Sequence, residues 1–517
     1  MQAKDNLQSG NSQVRNFYEN KNVFLTGATG FLGIALIEKL LRDCRVGKIY
    51  ALMRPKRGKE VESRLEELTK NLIFERLKEE QGDAPLKKII PVAGDVGEEN
   101  LGLSDKDRQI LIDNVQIVFH SAATLDFEAG LKPTVSINLL GTRRIVDLAS
   151  QIRNLEVLVH VSSAYVNSNR TRADEIIYDA PGDVDKVIHF ATTMSEKDLE
   201  SVTPRLLGDH PNTYTLTKAF AEHEVAKSAG KFPSAIVRPS MIVAAWKEPK
   251  PGWTISKNGP QGFIMGAAKG VVRRLPVGKE LVYDYIPVDI VVNELIVAGW
   301  HAASIRTDRT LVFHCTSSTC KPFMWKLVED RINEKLATYP LKSAIWYPTM
   351  KLLPSLGLFR VSAVLFHFVP AFFLDMMLRL TGGRPILMKL HRNVSRSLGR
   401  LAPFIFQEWF FDNKNTMNLQ QTLNETDKQK FNIDIRDLDW DVFFTDLICG
   451  VRRYLHNEEP KTLNAARKKH KILFVMNILI QLFFLLFVWF LMSLVWGMTS
   501  ISIIWVVPIV YLLLRLI

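Results

Sequence analysis

The chain has 517 residues, of which 47% are hydrophobic, and its 66 Lys and Arg against 54 Asp and Glu give a formal charge of +12. This composition excludes a wholly disordered chain, and the length allows two or three domains or one large domain with appendages. The four cysteines are too few and too widely spaced for a disulfide framework, and we expect reduced thiols and no metal site. The charge favours an anionic partner such as lipid or a phosphorylated cofactor, and no nucleic-acid-binding motif accompanies it.

Residues 1–14 are polar and contain no apolar core of the kind that a secretory signal needs, so we interpret them as a tail. Between residues 21 and 240, short apolar runs alternate with segments of helical spacing. The predicted strands are 23–25, 49–53, 88–92, 115–119, 155–161 and 235–237. Nearly continuous apolar strands separated by helices predict an α/β fold, with a parallel sheet that helices cover on both faces.

Three glycines follow the first predicted strand with the spacing GxxGxxG, namely Gly27, Gly30 and Gly33 within TGATGFLG. A tight turn there brings backbone N–H groups against a pyrophosphate, and the third glycine lets the next helix lie close to the sheet. The N-terminus of that helix then faces the negative charge. Because the motif lies between a strand and a helix, it predicts a dinucleotide-binding site in a Rossmann-type, doubly wound parallel sheet.

A basic loop with Arg54, Lys56 and Arg57 follows the second predicted strand. Many NAD-binding proteins have an acidic residue here that holds the ribose 2′-hydroxyl, whereas cations suit a 2′-phosphate. We therefore expect NADPH rather than NADH, and a solvated basic loop is the alternative. Asp95 follows the third predicted strand, and the sequence leaves open whether it bonds the adenine amino group or caps a helix.

Tyr214 and Lys218 are spaced i and i+4, so a helix places both side chains on one face. An ammonium beside a phenol lowers the pKa of the tyrosine, and such a tyrosine can donate its proton to a developing oxyanion. Ser163 follows the fifth predicted strand, at the carboxyl edge of the sheet, where its hydroxyl can hydrogen-bond a reacting carbonyl. These residues, downstream of the glycine turn and in this order, predict a reductase site.

The C-terminal part is helical in pattern and rich in Phe and Leu. Residues 364–380 are apolar but interrupted by polar residues, and we interpret them as a buried or interfacial helix rather than a membrane span. Residues 472–496 carry no charge and exceed the roughly 20 apolar residues that cross a bilayer. The basic run 465–471 precedes them and should stay cytosolic. A second apolar run, 501–514, allows either one span with an apolar tail or a hairpin turning at 497–500, which we favour.

TGATGFLG, VSSAYV and YTLTK resemble the extended short-chain dehydrogenase/reductases, and the wider chain resembles the fatty acyl-CoA reductases. FHSAATLDF, VRPSMIVAAWKEPKPGW and DYIPVDIVVN carry this resemblance, and EWFFDN and FNIDIRDLDWDVFF extend it past the predicted sheet. The organisation that the resemblance implies is a tail (1–14), an NADP-binding Rossmann reductase domain with a substrate-binding part (15–340), a helical C-terminal domain (341–460), and a basic segment with a membrane anchor (461–517).

The resemblance implies that Tyr214 donates a proton, that Lys218 assists it and touches the nicotinamide ribose, and that Ser163 polarises the carbonyl. It places Arg54 at the 2′-phosphate. At position 126 we expect a basic residue, and Asp126 puts in doubt a cationic contact there. The other cofactor-binding positions that the resemblance implies are Thr26, Gly27, Thr29, Gly30, Phe31, Leu32, Gly33, Asp95, Val96, Ala122, Ala123, Asn138 and Pro239.

The reaction that the resemblance implies is the reduction of a long-chain fatty acyl-CoA to a primary alcohol through an aldehyde, with two NADPH consumed and CoA released. It also implies a body that faces the cytosol, on a membrane of the endoplasmic reticulum or peroxisome, with membrane lipid as a partner. The alternatives are reduction that stops at the aldehyde, another membrane-bound reductase such as a hydroxysteroid dehydrogenase, and a non-catalytic nucleotide-binding protein. The sequence leaves open the acyl chain length and the oligomeric state, a homo-oligomer included.

Overall fold

The computed structural model describes residues 12–55 and 60–496 of the chain. Its helices and strands alternate through the first half, and helices dominate the second half. The strands are β1 Val23–Thr26, β2 Ile49–Met53, β3 Ile89–Ala93, β4 Ile117–His120, β5 Val157–Val161, β6 Arg172–Ala173, β7 Ser234–Pro239, β8 Met241–Val243, β9 Arg274–Pro276, β10 Tyr285–Pro287, β11 Leu311–Cys315, β12 Lys351–Leu353 and β13 Phe410–Phe411.

The α-helices range from a single turn to 34 residues. They are α1 Gln13–Tyr18, α2 Phe31–Lys39, α3 Val61–Thr69, α4 Glu75–Gln81, α5 Asp105–Asn114, α6 Leu131–Thr134, α7 Gly141–Ala149, α8 Val184–Thr193, α9 Glu196–Leu207, α10 Thr213–Ala226, α11 Gly259–Ala268, α12 Val288–Ile305, α13 Glu329–Thr338, α14 Leu356–Ala363, α15 Val369–Leu380, α16 Leu387–Ile405, α17 Lys414–Thr422, α18 Glu425–Lys430, α19 Trp440–Gly450 and α20 Leu463–Trp496.

Seven strands form one sheet in the order β3-β2-β1-β4-β5-β7-β11, and each neighbouring pair is parallel. Every residue of β1, β2 and β4 is buried, because helices cover both faces of the sheet. The predicted α/β, doubly wound fold is confirmed. The strand order reverses between β1 and β4, and in such sheets ligands bind in the crevice outside the carboxyl ends of the strands at that point.

Six of the sheet strands lie within two residues of their predicted bounds. The seventh, β11, was not predicted. Its sequence, LVFHC, is short and lies far along the chain from the other strands, so its apolar pattern alone does not separate it from a buried helical segment. It pairs with β7 from Leu311↔Ala235 to Cys315↔Pro239 and forms the edge of the sheet.

The chain forms two compact units, and neither is one continuous segment. The first contains the residues up to Trp253 with Val282–Phe323 and Trp409–Leu438. The second contains Thr254–Leu281, Met324–Glu408 and the residues from Asp439 onwards. The division of the sequence into 1–14, 15–340, 341–460 and 461–517 stays a prediction.

The segment Trp409–Leu438 closes the first unit against residues that are distant in sequence. Its strand β13 pairs in parallel with β6, so that Phe411 lies opposite Ala173. Asp427, which is fully buried, accepts hydrogen bonds from the hydroxyl of Ser12 and from the backbone N–H of Gln13 at 3.0 Å. Ser12 in turn caps α1. The end of this unit therefore holds its beginning in place.

Three helices are long and apolar enough to cross a membrane, judged over the described residues by length and composition alone. Val288–Ile305 is 78% buried and serves as a core helix of the first unit, where α12 packs on the sheet. Leu356–Leu380 is 28% buried and Pro460–Phe487 is 11% buried. The predicted anchor 472–496 lies within α20, whereas the second apolar run, 501–514, and the turn at 497–500 fall outside the described residues.

Candidate active site

The glycine turn between β1 and α2 leaves no room for side chains at two positions. Gly27 has φ +73°, and a Cβ there would lie 2.9 Å from the backbone nitrogen of Ala122. A Cβ on Gly33 would lie 2.2 Å from the carbonyl oxygen of Gly27. Any other residue at position 33 would push the helix off the turn, so glycine is required for the close approach that the sequence predicted.

The first turn of α2 offers backbone donors to an anion. Gly30 is its N-cap residue and has no side chain, so no side-chain oxygen caps the helix. The backbone N–H groups that open the helix therefore lie at the positive end of its dipole without a side-chain acceptor. Thr29, Phe31 and Leu32 belong to the same turn. This arrangement fits the pyrophosphate of a dinucleotide.

Thr26 and Asn138 hold the loop that follows β4. The hydroxyl of Thr26 accepts a hydrogen bond from the backbone N–H of Ala122 at 3.1 Å. The side chain of Asn138 accepts one from Thr124 N–H at 2.9 Å and donates one to the Thr217 hydroxyl at 3.2 Å. Both side chains are almost fully buried. They therefore shape the loop of Ala122 and Ala123 at the switch point, and the Asn138 bond ties that loop to α10.

Arg54 lies after β2, beside the glycine turn, with a side chain that is 64% exposed and 3.5 Å from the carboxylate of Asp95. A second cation, Arg64 of α3, donates to the Arg54 carbonyl at 2.5 Å and to the Thr29 hydroxyl at 3.1 Å. The sequence did not single out Arg64, because its spacing from the turn carries no motif. Lys56 and Arg57 lie outside the described residues. Two arginines thus flank the end of the turn where a 2′-phosphate would be held.

Asp95 and Val96 follow β3 and mainly build a turn. One carboxylate oxygen of Asp95 accepts a hydrogen bond from the backbone N–H of Gly97 at 3.0 Å, as an Asx turn does. Val96 is buried, and a Cβ on Gly141 would lie 3.1 Å from it. Asp95 thus has a local structural role, which leaves its predicted adenine contact a prediction.

Ser163 and Tyr214 meet at the carboxyl edge of the sheet. Tyr214 lies in the first turn of α10, which Asn212 caps through a hydrogen bond from Thr215 N–H at 2.9 Å. Its hydroxyl shares a hydrogen bond with Ser163, which follows β5. The ring of Phe127 packs edge-on against the Tyr214 ring, with centroids 5.3 Å apart. The structure therefore brings together the two hydroxyl groups that the sequence predicted to act on one carbonyl.

Lys218 lies one turn along α10, and its ammonium group points to the strand rather than to the phenol. It donates to the carbonyl oxygen of Val161 at 2.6 Å and lies 3.1 Å from Nε2 of His160. Burial lowers the pKa of Lys218 to about 8, an effect that the Glu222 carboxylate opposes. Burial raises the pKa of Tyr214 to about 12, against the hydrogen bond with Ser163. The expectation of a lowered tyrosine pKa is wrong for this arrangement, because burial raises it.

Two buried histidines behind the site were not predicted from the sequence. The ring of His160, next to Lys218, lies 5.1 Å from the ring of His120, whose Nδ1 is 2.8 Å from the Thr26 hydroxyl. Burial, with the nearby Lys218, lowers the pKa of both imidazoles, that of His120 to about 3. Both rings are therefore neutral. The two rings form a row on strands β4 and β5 between the glycine turn and Lys218. The sequence does not predict this row, because residues that alternate along a strand carry no distinctive pattern.

An ion pair anchors α10 to the sheet. Arg238, the residue before Pro239 in β7, donates to both oxygens of Glu222 at 2.8 and 2.6 Å. The hydroxyl of Ser162 donates to the same carboxylate at 2.5 Å. All three side chains are buried. Pro239 itself ends β7 at the edge where Ser163 lies, which suits its predicted place near the nicotinamide.

The described residues contain no group of three or more His, Cys, Asp or Glu that is placed to hold a metal ion. Cys44 and Cys315 are buried, and Cys320 and Cys449 are partly buried. Burial raises the pKa of each thiol. A neutral thiol is a poor nucleophile, so these cysteines do not suit covalent catalysis.

Comparison with known proteins identifies relatives over nearly the whole chain. Residues 25–295 and 366–458 match an NAD-binding family and the Sterile family, both described as male sterility protein. A Drosophila melanogaster protein named as a fatty acyl-CoA reductase is 54% identical over 509 residues, which cover 97% of this chain and 99% of the relative. The human fatty acyl-CoA reductase 1 is 39% identical over 456 residues, 88% of each chain.

Solved structures share the fold. The reductase domain of a non-ribosomal peptide synthetase from Mycobacterium tuberculosis superposes with a TM-score of 0.53, at 18% identity, over 88% of this chain and 95% of that one. The terminal R domain of the myxalamid pathway gives a TM-score of 0.53 at 19% identity, over 85% and 91% of the two chains. At this identity, the likeness concerns the fold alone.

Replacing Arg54 with alanine tests the cationic end of the turn. We expect the Kd for NADPH to rise roughly tenfold, since one charge-assisted contact is lost at an exposed position. The Kd for NADH should stay unchanged, because NADH has no 2′-phosphate. Fluorescence titration of the purified protein with each nucleotide measures both constants.

Arg153→Ala is the matched control for Arg54→Ala. Arg153 is 68% exposed and pairs with one carboxylate, that of Asp113 at 3.0 Å, but it precedes β5 and so lies at the opposite edge of the sheet. Its loss should leave both constants unchanged. If Arg54→Ala raised the Kd for NADPH and the Kd for NADH equally, the prediction that Arg54 contacts the 2′-phosphate would be wrong.

Proposed function

Since the chain belongs to the fatty acyl-CoA reductase family, we propose that it reduces long-chain fatty acyl-CoA to a primary fatty alcohol, with NADPH as the reductant. The observation that carries the proposal is the meeting of Ser163 and Tyr214 beside Lys218 at the carboxyl edge of the sheet, next to a turn that fits a dinucleotide. The relatives supply the substrate class, and the geometry supplies groups that suit reduction of a carbonyl.

The turn of Gly27, Gly30 and Gly33 would hold the pyrophosphate, and Arg54 would hold the 2′-phosphate. Lys218 would contact the nicotinamide ribose, with Pro239 at the nicotinamide. When bound, the cofactor supplies the hydride that adds to the acyl carbonyl carbon. The residues of the protein would orient that carbonyl, stabilise the charge on its oxygen and supply the proton.

Ser163 and Tyr214 form the donor pair for the carbonyl oxygen. As negative charge develops on that oxygen, both hydroxyl groups can donate hydrogen bonds to it. Because burial raises the pKa of Tyr214 to about 12, the phenol stays protonated at neutral pH and is available as the acid. The Lys218 ammonium, one helical turn away, is directed to the Val161 carbonyl, so its part in the proposal is the contact with the nicotinamide ribose.

The reduction would proceed in two rounds at the same residues. In the first, hydride and proton addition to the thioester gives a hemithioacetal, whose C–S bond breaks to release CoA as the thiol and leave an aldehyde. In the second, a fresh hydride reaches the aldehyde carbon while Tyr214 protonates the oxygen, which gives the alcohol. Each round needs the same pair of hydroxyl groups and no nucleophilic cysteine.

We also propose that α20 crosses a membrane, with the catalytic body on the cytosolic side of the endoplasmic reticulum or peroxisome. Pro460–Phe487 contains a stretch that is long and apolar enough to cross a bilayer, and only 11% of that stretch is buried within the protein. The basic run 465–471 forms the start of the same helix. Positive residues next to a span favour the cytosolic side.

Incubation of purified protein with palmitoyl-CoA and NADPH tests the reaction. We expect hexadecanol and two NADPH oxidised per acyl group, measured by mass spectrometry and by absorbance at 340 nm. Hexadecanal with one NADPH oxidised per acyl group would contradict the alcohol-forming reaction, although it would agree with the first round, reduction of the thioester to the aldehyde. The absence of turnover with any acyl-CoA, in detergent or in liposomes, would contradict the proposal.

Tyr214→Phe tests the proton donor. Turnover should fall by about 10²- to 10⁴-fold, the usual contribution of a general acid, while the Kd for NADPH stays within a few-fold of the parent value. Tyr50→Phe is the control, because this tyrosine is about as buried as Tyr214 but is the second residue of β2, away from the carboxyl ends of the strands. A matching loss of NADPH affinity in Tyr214→Phe would mean that the tyrosine acts through binding instead.

Leu479→Asp/Leu482→Asp tests the span. Two carboxylates near the bilayer centre oppose insertion by about 2.5–3.5 kcal/mol each, so we expect alkaline carbonate to extract the variant from membranes and not the parent. Val442→Asp is the control, since Val442 is as exposed as Leu479 but lies on α19. Carbonate resistance of the double variant would contradict a span at this helix.

A further inference from the structure

In the second unit, α14 and α15, joined by the π-turn Val364–Phe368, show an inverted pattern of polarity. Their buried stripe includes the polar side chains of Ser362, His367 and Asp375. The opposite stripe is exposed and consists of large apolar residues at helical spacing, among them Val361, Leu365, Val369, Phe372, Met376 and Leu380. A helix that faces water on one side normally has the reverse arrangement.

Hydrogen bonds on the buried stripe fix the rotation of these helices. Nε2 of His367 accepts from the backbone N–H groups of Arg273 at 3.0 Å and Arg274 at 3.2 Å. The Arg274 guanidinium donates to the hydroxyl of Ser362 at 3.2 Å. Turning the apolar stripe inward would move His367 and Ser362 away and leave the Arg273 and Arg274 donors without these acceptors, which is costly. The apolar face is therefore held outward.

Asp375 fixes the next helix in the same way. Its buried carboxylate accepts hydrogen bonds from the backbone N–H groups of Leu387 at 3.0 Å and Met388 at 2.9 Å, the first residues of α16. The rings of His367 and His391 stack with centroids 4.9 Å apart, which joins α16 to the π-turn. Residues 356–405, which we call the interfacial layer, thus form one hydrogen-bonded assembly.

The interfacial layer is strongly basic. Asp375 is its one acidic residue, and that carboxylate is buried, whereas its seven Lys and Arg are all exposed. Four of them, Lys389, Arg392, Arg396 and Arg400, recur at helical spacing along α16. An exposed apolar face on α14 and α15, followed along the chain by exposed cations on α16, has the composition that suits the boundary between acyl chains and anionic headgroups in a bilayer.

We propose that the interfacial layer lies flat in the surface of an anionic membrane, as a second membrane contact beside the span of α20. The apolar stripe of α14 and α15 enters the acyl-chain boundary, and the cations of α16 meet lipid phosphates. Both contacts belong to the same compact unit, so an inserted α20 keeps the interfacial layer within reach of the bilayer. The proposal does not depend on the reaction that the first unit catalyses.

A second copy of the chain is a poorer occupant for this face. Two copies that met through their apolar stripes would bring two sets of exposed arginines together, and like charges oppose such an interface. An anionic bilayer has the complementary charge and can cover an apolar face of any outline. The choice between them is open to direct measurement.

The test places an environment-sensitive fluorophore on Phe373→Cys of the full-length protein, in a Cys320→Ser/Cys449→Ser background that limits labelling elsewhere. The protein is reconstituted into nanodiscs of phosphatidylcholine with or without phosphatidylserine, and lipids with spin labels on their acyl chains act as quenchers. We expect quenching at Phe373→Cys that approaches the value at Ile480→Cys on α20 and that increases with phosphatidylserine. Quenching no greater than at Val442→Cys overturns the proposal.

Val442→Cys is the matched control because Val442 is 57% exposed and Phe373 58%, and both lie in the second unit. Val442 lies next to Asp441 and close to Asp439 in sequence, and an anionic lipid surface repels these carboxylates. Self-quenching between labelled copies, without quenching by lipid, assigns the face to a second copy and also overturns the proposal.

A charge variant tests the role of the cations. Arg392→Gln/Arg396→Gln removes two exposed side chains, and the ratio of docked to undocked layer should fall about fivefold for each cation lost near an anionic surface. Lys326→Gln/Arg331→Gln removes the same charge elsewhere in the second unit, at side chains that are 62% and 60% exposed, and should leave quenching at Phe373→Cys unchanged. An equal effect of both pairs contradicts a contact at α16.

Discussion

The buried ion pair between Glu222 and Arg238 is the interaction on which the geometry of the site depends. Both charges lie out of water, and removing either partner would leave the other uncompensated, at a cost of about 3–5 kcal/mol. Glu222 lies one turn beyond Lys218 and two turns beyond Tyr214 on α10, while Ser162 shares its carboxylate. The pair therefore sets both the rotation of the catalytic helix and its distance from the ends of β5 and β7.

A second set of hydrogen bonds makes the cofactor side and the catalytic side one frame. Thr26, at the end of β1, holds Ala122, and Thr124 of the same loop bonds Asn138, which reaches Thr217 on α10. Side chains predicted to line the cofactor cleft thus act partly by fixing the loop around it. These buried hydrogen bonds connect the glycine turn to α10.

The sequence predicted the parts of the fold that depend on patterns among residues close together in the chain. The apolar strands, the glycine spacing and the i, i+4 pair of Tyr214 and Lys218 each follow from neighbouring residues. What the sequence missed depends on contacts between distant segments, as with β11, the His120–His160 row and Arg64. The tyrosine pKa was predicted in the wrong direction because burial raises it, and the spacing of Tyr214 and Lys218 along the helix does not reveal that burial.

The closure of the first unit by Asp427 has a consequence for biosynthesis. The hydrogen bond from the Gln13 backbone N–H to the Asp427 carboxylate spans 414 residues, and ribosomes add roughly 5–20 residues per second, so it must wait on the order of 20–80 s. Until then, β11 and α12 lack their contacts with α17, and β6 lacks its partner strand β13. Folding of the reductase unit is therefore finished late in translation, and the emerging chain is a natural client for chaperones that shield apolar surface.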